Sequence, residues 1–313
     1  ALLYNTAHPD ESHRLHAFGV DDGEGYRNDD NVWRFVGAYL VYGQWKQLVV
    51  GGVDSLSAAY GVTQDQEYAN RALILLDRVA DIYPTYDYAT QGLVYETAGH
   101  RGYVSVWHDA CEETRQLILA YDRVYEGLAD GSDAVAFLLE KARSYDVPTA
   151  KEGLSDLLAN IEERIVSDSL LDHGKHRTNY PREEMTQIAA EAVRGWPESR
   201  PRVTEILDEL IAGATAVDGL TGEKGLSGYS VIGPTGVAQI LSLVSLLEDD
   251  FLDDVVVRHP RLHDMFRFHY DTLCLDRYYP MVGDCGAFAW PHGRYAGATF
   301  AGSPGLTPST YAL

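Results

Sequence analysis

From Trp33 onward apolar residues return every three or four positions almost without a break, the spacing that sets one side of a helix against a core. Over 64–82 the stripe is Tyr68, Ala72, Leu75, Leu76, Val79 and Ala80. Tyr83-Pro84 predicts its end, because the residue before a proline is driven out of the helical region. The stretch 104–128 carries Val104, Trp107, Cys111, Ile118, Tyr121, Val124 and Tyr125, and 150–167 carries Leu154, Leu157, Leu158, Ile161 and Ile165. Pro181 suits a first helical turn; Met185, Ile188, Ala189, Ala192 and Val193 follow, and Gly195 is expected to close the helix. Pro234 opens another, with Val237, Ile240, Leu241, Val244 and Leu247. The same spacing predicts helices over 33–49, 52–61, 132–144, 199–213 and 252–270.

About ten helices, short connections and hardly any alternating strand pattern predict an all-α fold of antiparallel helical hairpins, closed into a toroid or left open as a solenoid. No fixed repeat length runs through the chain, which disfavours tetratricopeptide-like and ankyrin-like arrays. Residues 1–32 read as an irregular acidic segment. Runs such as Asp21-Asp22-Gly23-Glu24-Gly25 lack the spacing and closing Glu of a calcium loop and predict a solvated loop. From Tyr278 onward glycines and aromatics accumulate without helical period, so 278–313 is expected to be an irregular tail, a lid or the start of a β domain cut short. The main domain is expected to span 33–277.

Composition narrows the chemistry. Lys and Arg total 25 against 47 Asp and Glu, a formal charge of −22, which argues against a general nucleic-acid binder needing a basic face. Hydrophobic residues make up 45%, enough for a sizeable core, and no run of about 18 uninterrupted apolar residues predicts a membrane span. Cys111, Cys274 and Cys285 cannot form a disulfide framework, and no CxxC pair suggests zinc. The chain begins at Ala1 rather than Met, as expected of a processed protein or a piece of one. Tyr outnumbers Phe and Trp, 21 to 8 and 5; the rings read as half-buried with wet hydroxyls, or as a cleft lining that stacks on sugars. A surplus of outer acid suits a periplasmic or secreted protein.

Two polar clusters interrupt the helices. Asp172-His173-Gly174-Lys175-His176-Arg177-Thr178-Asn179-Tyr180 leads into the Pro181 helix, where free backbone N–H groups favour anions. Asn and Thr there serve equally well as ordinary helix caps, but capping does not call for two His and two cations together. Asp218-Gly219-Leu220-Thr221-Gly222-Glu223-Lys224-Gly225-Leu226-Ser227-Gly228-Tyr229 leads into the Pro234 helix, its glycines permitting tight turns and close approach to a ligand. A plain surface loop accounts for it as well. A third patch, Glu96 to Tyr103, sets His100 and Arg101 before the 104–128 helix, as cleft residues or as an inter-helix loop.

These residues resemble the heparinase II/III-like polysaccharide lyases. In that family an Asn-containing segment precedes one helix, and roughly fifty residues later Asp-Gly, Glu, Ser and Tyr open the next hairpin. Here they are Asp218-Gly219, Glu223, Ser227 and Tyr229, fifty residues after Asn179. The Ala58-Ala59-Tyr60-Gly61 to Tyr68-Ala69-Asn70-Arg71-Ala72 hairpin, the Tyr4 to Pro9 opening and Pro280-Met281-Val282-Gly283-Asp284 are also similar, so the likeness spans nearly the whole chain.

The resemblance implies an incomplete α/α toroid, an anionic polysaccharide or oligosaccharide as partner, and β-elimination at a 4-linked uronic acid; no cofactor or metal ligand is assigned. That reaction removes a weakly acidic C5 proton beside a carboxylate, so the site must neutralise the carboxylate and stabilise an enolate-like intermediate. Asn179, with His176 as a second donor, is the implied neutraliser; Tyr229 is the implied base, and the acid that protonates the leaving oxygen. A free phenol has a pKa of about 10, so Arg177, Lys175 or a His must stabilise its phenolate. Glu223 is expected to shape the loop or bind sugar hydroxyls. Two other readings stay open. One is an inverting α/α-barrel glycoside hydrolase, with Asp109 and Glu112 or Asp218 and Glu223 as its carboxylate pair. The other is a non-catalytic helical scaffold that binds glycans.

Overall fold

The computed structural model describes residues 8–13, 16, 26–28, 31–33, 45–85, 107–129, 131–145, 147, 149–168, 181–216, 232–283, 285 and 291–302. Among them the chain is mostly helical, as the periodicity predicts, with a small sheet near its end. It divides into two compact units, Ala1–Thr178 and Asn179–Leu313.

In the first unit, the stretch expected to be irregular includes a two-stranded ribbon, β1 (Tyr26–Asn28) and β2 (Asn31–Trp33), paired antiparallel with Asn28 opposite Asn31. A widened π-type turn, Trp45–Val50, runs directly into α1 (Gly51–Thr63). Two residues then reverse the chain. Gln64 takes the left-handed conformation (φ 58°) and returns its N–H to the Tyr60 carbonyl, while the Asp65 side chain accepts from the Glu67 N–H to cap α2 (Gln66–Ile82). The buried face of α2 is Ala69, Ala72, Leu73, Leu76, Asp77, Val79, Ala80 and Asp81, shifted round the helix from the predicted stripe, with Tyr68 and Leu75 only half-buried. Burying a residue such as Leu73 or Leu76 stabilises by about 1.5–3 kcal/mol.

Against α2 pack α3 (Trp107–Tyr125), α4 (Asp133–Ser144) and α5 (Leu154–Ile161), the last continuing as a π-type turn over Glu162–Ser167. On α3 the predicted Cys111, Ile118, Tyr121 and Val124 are buried, whereas Tyr125 is half exposed. The Tyr121 hydroxyl donates to Glu162 Oε1 at 2.6 Å. Burial, then that carboxylate, pushes the phenol well above the ordinary tyrosine range. The unfolded chain ionises this group near pH 10, so the stability it contributes is complete below pH 10 and lost as pH rises beyond it. In urea titrations above about pH 10, wild type should lose up to about 1.4 kcal/mol per pH unit more than Tyr121→Phe. Parallel pH profiles would remove this account.

In the second unit, α6 (Arg182–Gly195) and α7 (Arg200–Ala214) form a hairpin, and α8 (Ile232–Val244) packs on both. Gly195 is the last residue of α6, as expected, and the chain leaves the helix at Trp196, whose successor Pro197 can donate no N–H. The single helix expected over 252–270 is two, α9 (Phe251–Arg258) and α10 (Arg261–Asp271), because Pro260 cannot continue the ladder. Val203, Leu207, Leu210, Ile211, Val237, Ile240, Val244, Phe251 and Met265 form one core.

The end of the chain carries strands rather than helix. Residues 278–302 hold a three-stranded antiparallel sheet in the order β3 (Tyr278–Pro280), β5 (Ala298–Gly302), β4 (Pro291–Tyr295). Tyr279 lies opposite Ala301; both are fully buried, and the Tyr279 hydroxyl donates to the His269 carbonyl on α10 at 2.8 Å. No helix among the described residues is long and apolar enough to cross a membrane.

Candidate functional site

The residues singled out for chemistry, Lys175, His176, Arg177, Asn179, Glu223 and Tyr229, lie outside the described residues, as do His100 and Arg101. Described, however, are the two helix starts that follow the 172–180 and 218–229 stretches in the sequence. Pro181 stands immediately before α6, and Pro234 occupies the first turn of α8. A Cβ added to Gly236 would run into Pro181 Cγ and lie 3.3 Å from Met185 Sδ. The opening turns of α6 and α8 therefore touch, and only glycine fits at the contact. Each start is the positive end of a helix dipole, which favours an anion beside it.

Gly236→Ala tests that contact. The rigid Pro181 ring has no rotamer to yield with, so overpacking should cost about 1–3 kcal/mol, offsetting alanine's better helix propensity. A lower melting temperature is expected; an unchanged or higher one would mean that the two turns are not in contact.

Glu184, in the first turn of α6, is a residue that sequence reasoning misses. Its Oε2 is buried with no hydrogen-bond partner among the described residues, and burial pushes its carboxyl above the usual carboxylate range. A glutamate three residues past Pro181 looks like an ordinary dipole partner, so periodicity alone does not mark it.

A second polar cluster lies inside the first unit. Lys151, its side chain 1% exposed, places Nζ 2.7 Å from Asp77 Oδ2 and 2.7 Å from Asp81 Oδ1, whose side chains are 3% and 4% exposed. Asn160 Nδ2 donates to Asp77 Oδ1 at 2.9 Å and Asp81 Oδ1 at 3.1 Å, and Thr149 Oγ1 to Asn160 Oδ1 at 3.3 Å. Arg164 closes the C-terminal end of α2 by donating to the Ala80 and Asp81 carbonyls at 2.7 and 3.1 Å. Burial raises the Asp77 carboxyl; the Lys151 and Asn160 hydrogen bonds oppose it without cancelling it. A groove of about 520 Å³, lined in part by Arg78, Phe137, Lys141 and Tyr145, opens over this cluster.

Two carboxylates beside a groove invite a hydrolase reading, but the Lys151 ammonium occupies the place between them that a water or glycosidic oxygen needs. The cluster is a structural strut that ties the 149–160 stretch to α2. Of the carboxylate pairs expected for a hydrolase, the Asp109 side chain and both Asp218 and Glu223 lie outside the described residues. No group of three His, Cys, Asp or Glu placed to hold a metal occurs among the described residues.

Compared with family models, curated proteins and solved structures, the chain matches none.

Proposed function

We propose that this protein is a polysaccharide lyase that cleaves a uronic-acid polymer by β-elimination, built on an incomplete toroid of antiparallel helical hairpins. The observation that carries the reading is the contact between the opening turns of α6 and α8 at Gly236 and Pro181. Asn179 is two residues before Pro181 and Tyr229 three before Ile232, an extended reach of about 7 and 11 Å. With the two helix starts in contact, an amide and a phenol so few residues before them are within reach of one sugar ring.

In this reading Asn179, with His176 close before it in the chain, donates hydrogen bonds to the uronate carboxylate and makes its α-proton acidic enough to remove. Tyr229, as phenolate, takes the C5 proton. The C5 electron pair forms the C4–C5 double bond as the C4–O bond breaks, and the phenol returns its proton to the leaving oxygen. Lys175 and Arg177 supply positive charge that favours the phenolate, and Glu223 shapes the glycine-rich loop. The substrate is an anionic polymer or oligosaccharide met in the periplasm or outside the cell.

Hyaluronan, heparan and alginate chains, incubated with the folded protein, test this by near-ultraviolet absorbance, since only elimination creates a conjugated double bond. At least one polymer should give a rising signal. No signal across the panel ends the lyase reading, and new reducing ends without absorbance would mean hydrolysis.

A further inference from the structure

The groove of about 520 Å³ over the Lys151 cluster lies between two helical stripes of the first unit. Ile74 and Arg78 stand four apart on α2, Phe137 and Lys141 four apart on α4, and Tyr145 follows four further on. Lys151, Asp77 and Asp81 form the buried floor. The walls are mostly apolar, from Ile74, Leu138 and Val147 to the two rings. Phe137 is 43% exposed and Tyr145 66%, and the volume falls in the range that holds a small organic molecule.

The charged groups of the groove are unequally satisfied. Asp77 accepts from Asn160 at Oδ1 and from Lys151 at Oδ2, and Asp81 Oδ1 accepts from both. Arg78 Nη1 stands 3.7 Å from Asp81 Oδ2, too far for a hydrogen bond, and its side chain is mostly exposed. Lys141 lies over the Phe137 ring at 5.2 Å. The positions three and four away from it hold Phe137, Leu138, Ser144 and Tyr145, so it has no acid partner along its own helix. Its neighbour Glu140 is not among the residues that line the groove. Lys151 donates two of its three N–H groups to the aspartates, and no described residue takes the third. Among the described lining residues, three cations therefore stand against two carboxylates already engaged. That surplus occurs in a chain with 47 acids and 25 Lys and Arg.

An occupant that completes this site brings acceptors, one negative charge and a flat apolar body. A ring-bearing carboxylate has all three: its oxygens pair with a guanidinium or an ammonium, and its ring stacks on aromatic side chains. One charge balances the surplus in the lining. A polyanionic chain or an acidic peptide fits less well, because its further charges would lie over Asp77 and Asp81.

We propose that the groove between α2 and α4 is a binding site for a small aromatic monocarboxylate, its ring against the wall of Phe137 and Tyr145 and its head on Arg78 and Lys141. The site lies wholly in the first unit and does not rest on the lyase reading. Anilinonaphthalene sulfonate, a fluorescent aromatic monoanion, is the probe. Wild type should bind the dye saturably, and phenylbutyrate should displace it at about tenfold lower concentration than phenylbutanamide, which lacks the charge. Combining Arg78→Gln with Lys141→Gln should shrink that preference to about twofold or less. Ala142→Phe, which fills the groove, should weaken dye and phenylbutyrate alike by about tenfold or more. Melting temperatures read in parallel separate loss of the site from loss of the fold. The two Gln substitutions remove no side-chain hydrogen bond to a described residue, so they test the site even where Ala142→Phe unfolds. No saturable dye binding, no displacement by phenylbutyrate, or a preference for the acid that survives both Gln substitutions overturns the proposal.

Discussion

Replacing Tyr229 with Phe is expected to lower turnover on the cleaved uronate polymer by about a thousandfold or more while affinity for it changes little. The substitution removes one oxygen and keeps the ring, so the proton-transferring group alone is lost. Turnover measured by double-bond absorbance, set beside the dissociation constant of the same oligosaccharide, separates the two. A glycan-binding scaffold predicts no turnover in either form. Wild-type turnover in the variant would remove Tyr229 from the chemistry. Asn179→Ala should act differently, because an uncompensated carboxylate raises the barrier to C5 deprotonation and also weakens ground-state binding.

Lys151→Met carries the largest expected effect on stability. It leaves Asp77 and Asp81 buried at 3% and 4% exposure, facing each other without the ammonium that lies 2.7 Å from both. Breaking a buried pair by removing one partner costs about 3–5 kcal/mol, mostly as the penalty of stranded charge. Adding Asp77→Asn to Lys151→Met should restore part of the loss by removing one of the two stranded carboxyls. Chemical denaturation reads both. A loss below about 1 kcal/mol for the single variant would mean that water reaches the cluster and the strut is not buried. The raised Asp77 carboxyl fixes the direction of its pH dependence in wild type. Its contribution is most favourable below its ordinary range and is lost as pH rises through the elevated value.

Helices are legible wherever local chemistry decides them. Asp65 capping α2 and Pro181 ahead of α6 are marks that a short window of sequence displays. Pro260 displays one too, and it overrides an apolar period that runs straight across it. The sheet is not legible, because strands of three to five residues among glycines are too short to show a period of two. Distance along the chain hides the rest. Asp77 and Asp81 sit on an apolar helix stripe, and what makes them tolerable there is a lysine 74 and 70 positions away. Gly236 reads as a weak point in a helix until Pro181 is found against it. For the candidate site, sequence shows which residue types stand before which helices; that those helices begin side by side is a tertiary fact.

In the proposed mechanism residues 179 and 229 meet across one sugar. A crystal structure of Tyr229→Phe with a bound uronate oligosaccharide tests it most directly. The account predicts the Asn179 amide at hydrogen-bond distance, about 2.9 Å, from a uronate carboxylate oxygen, with the edge of the substituted ring at position 229 directed at C5 of the same sugar. An oligosaccharide seated elsewhere, with residues 179 and 229 on separate surfaces, would contradict it.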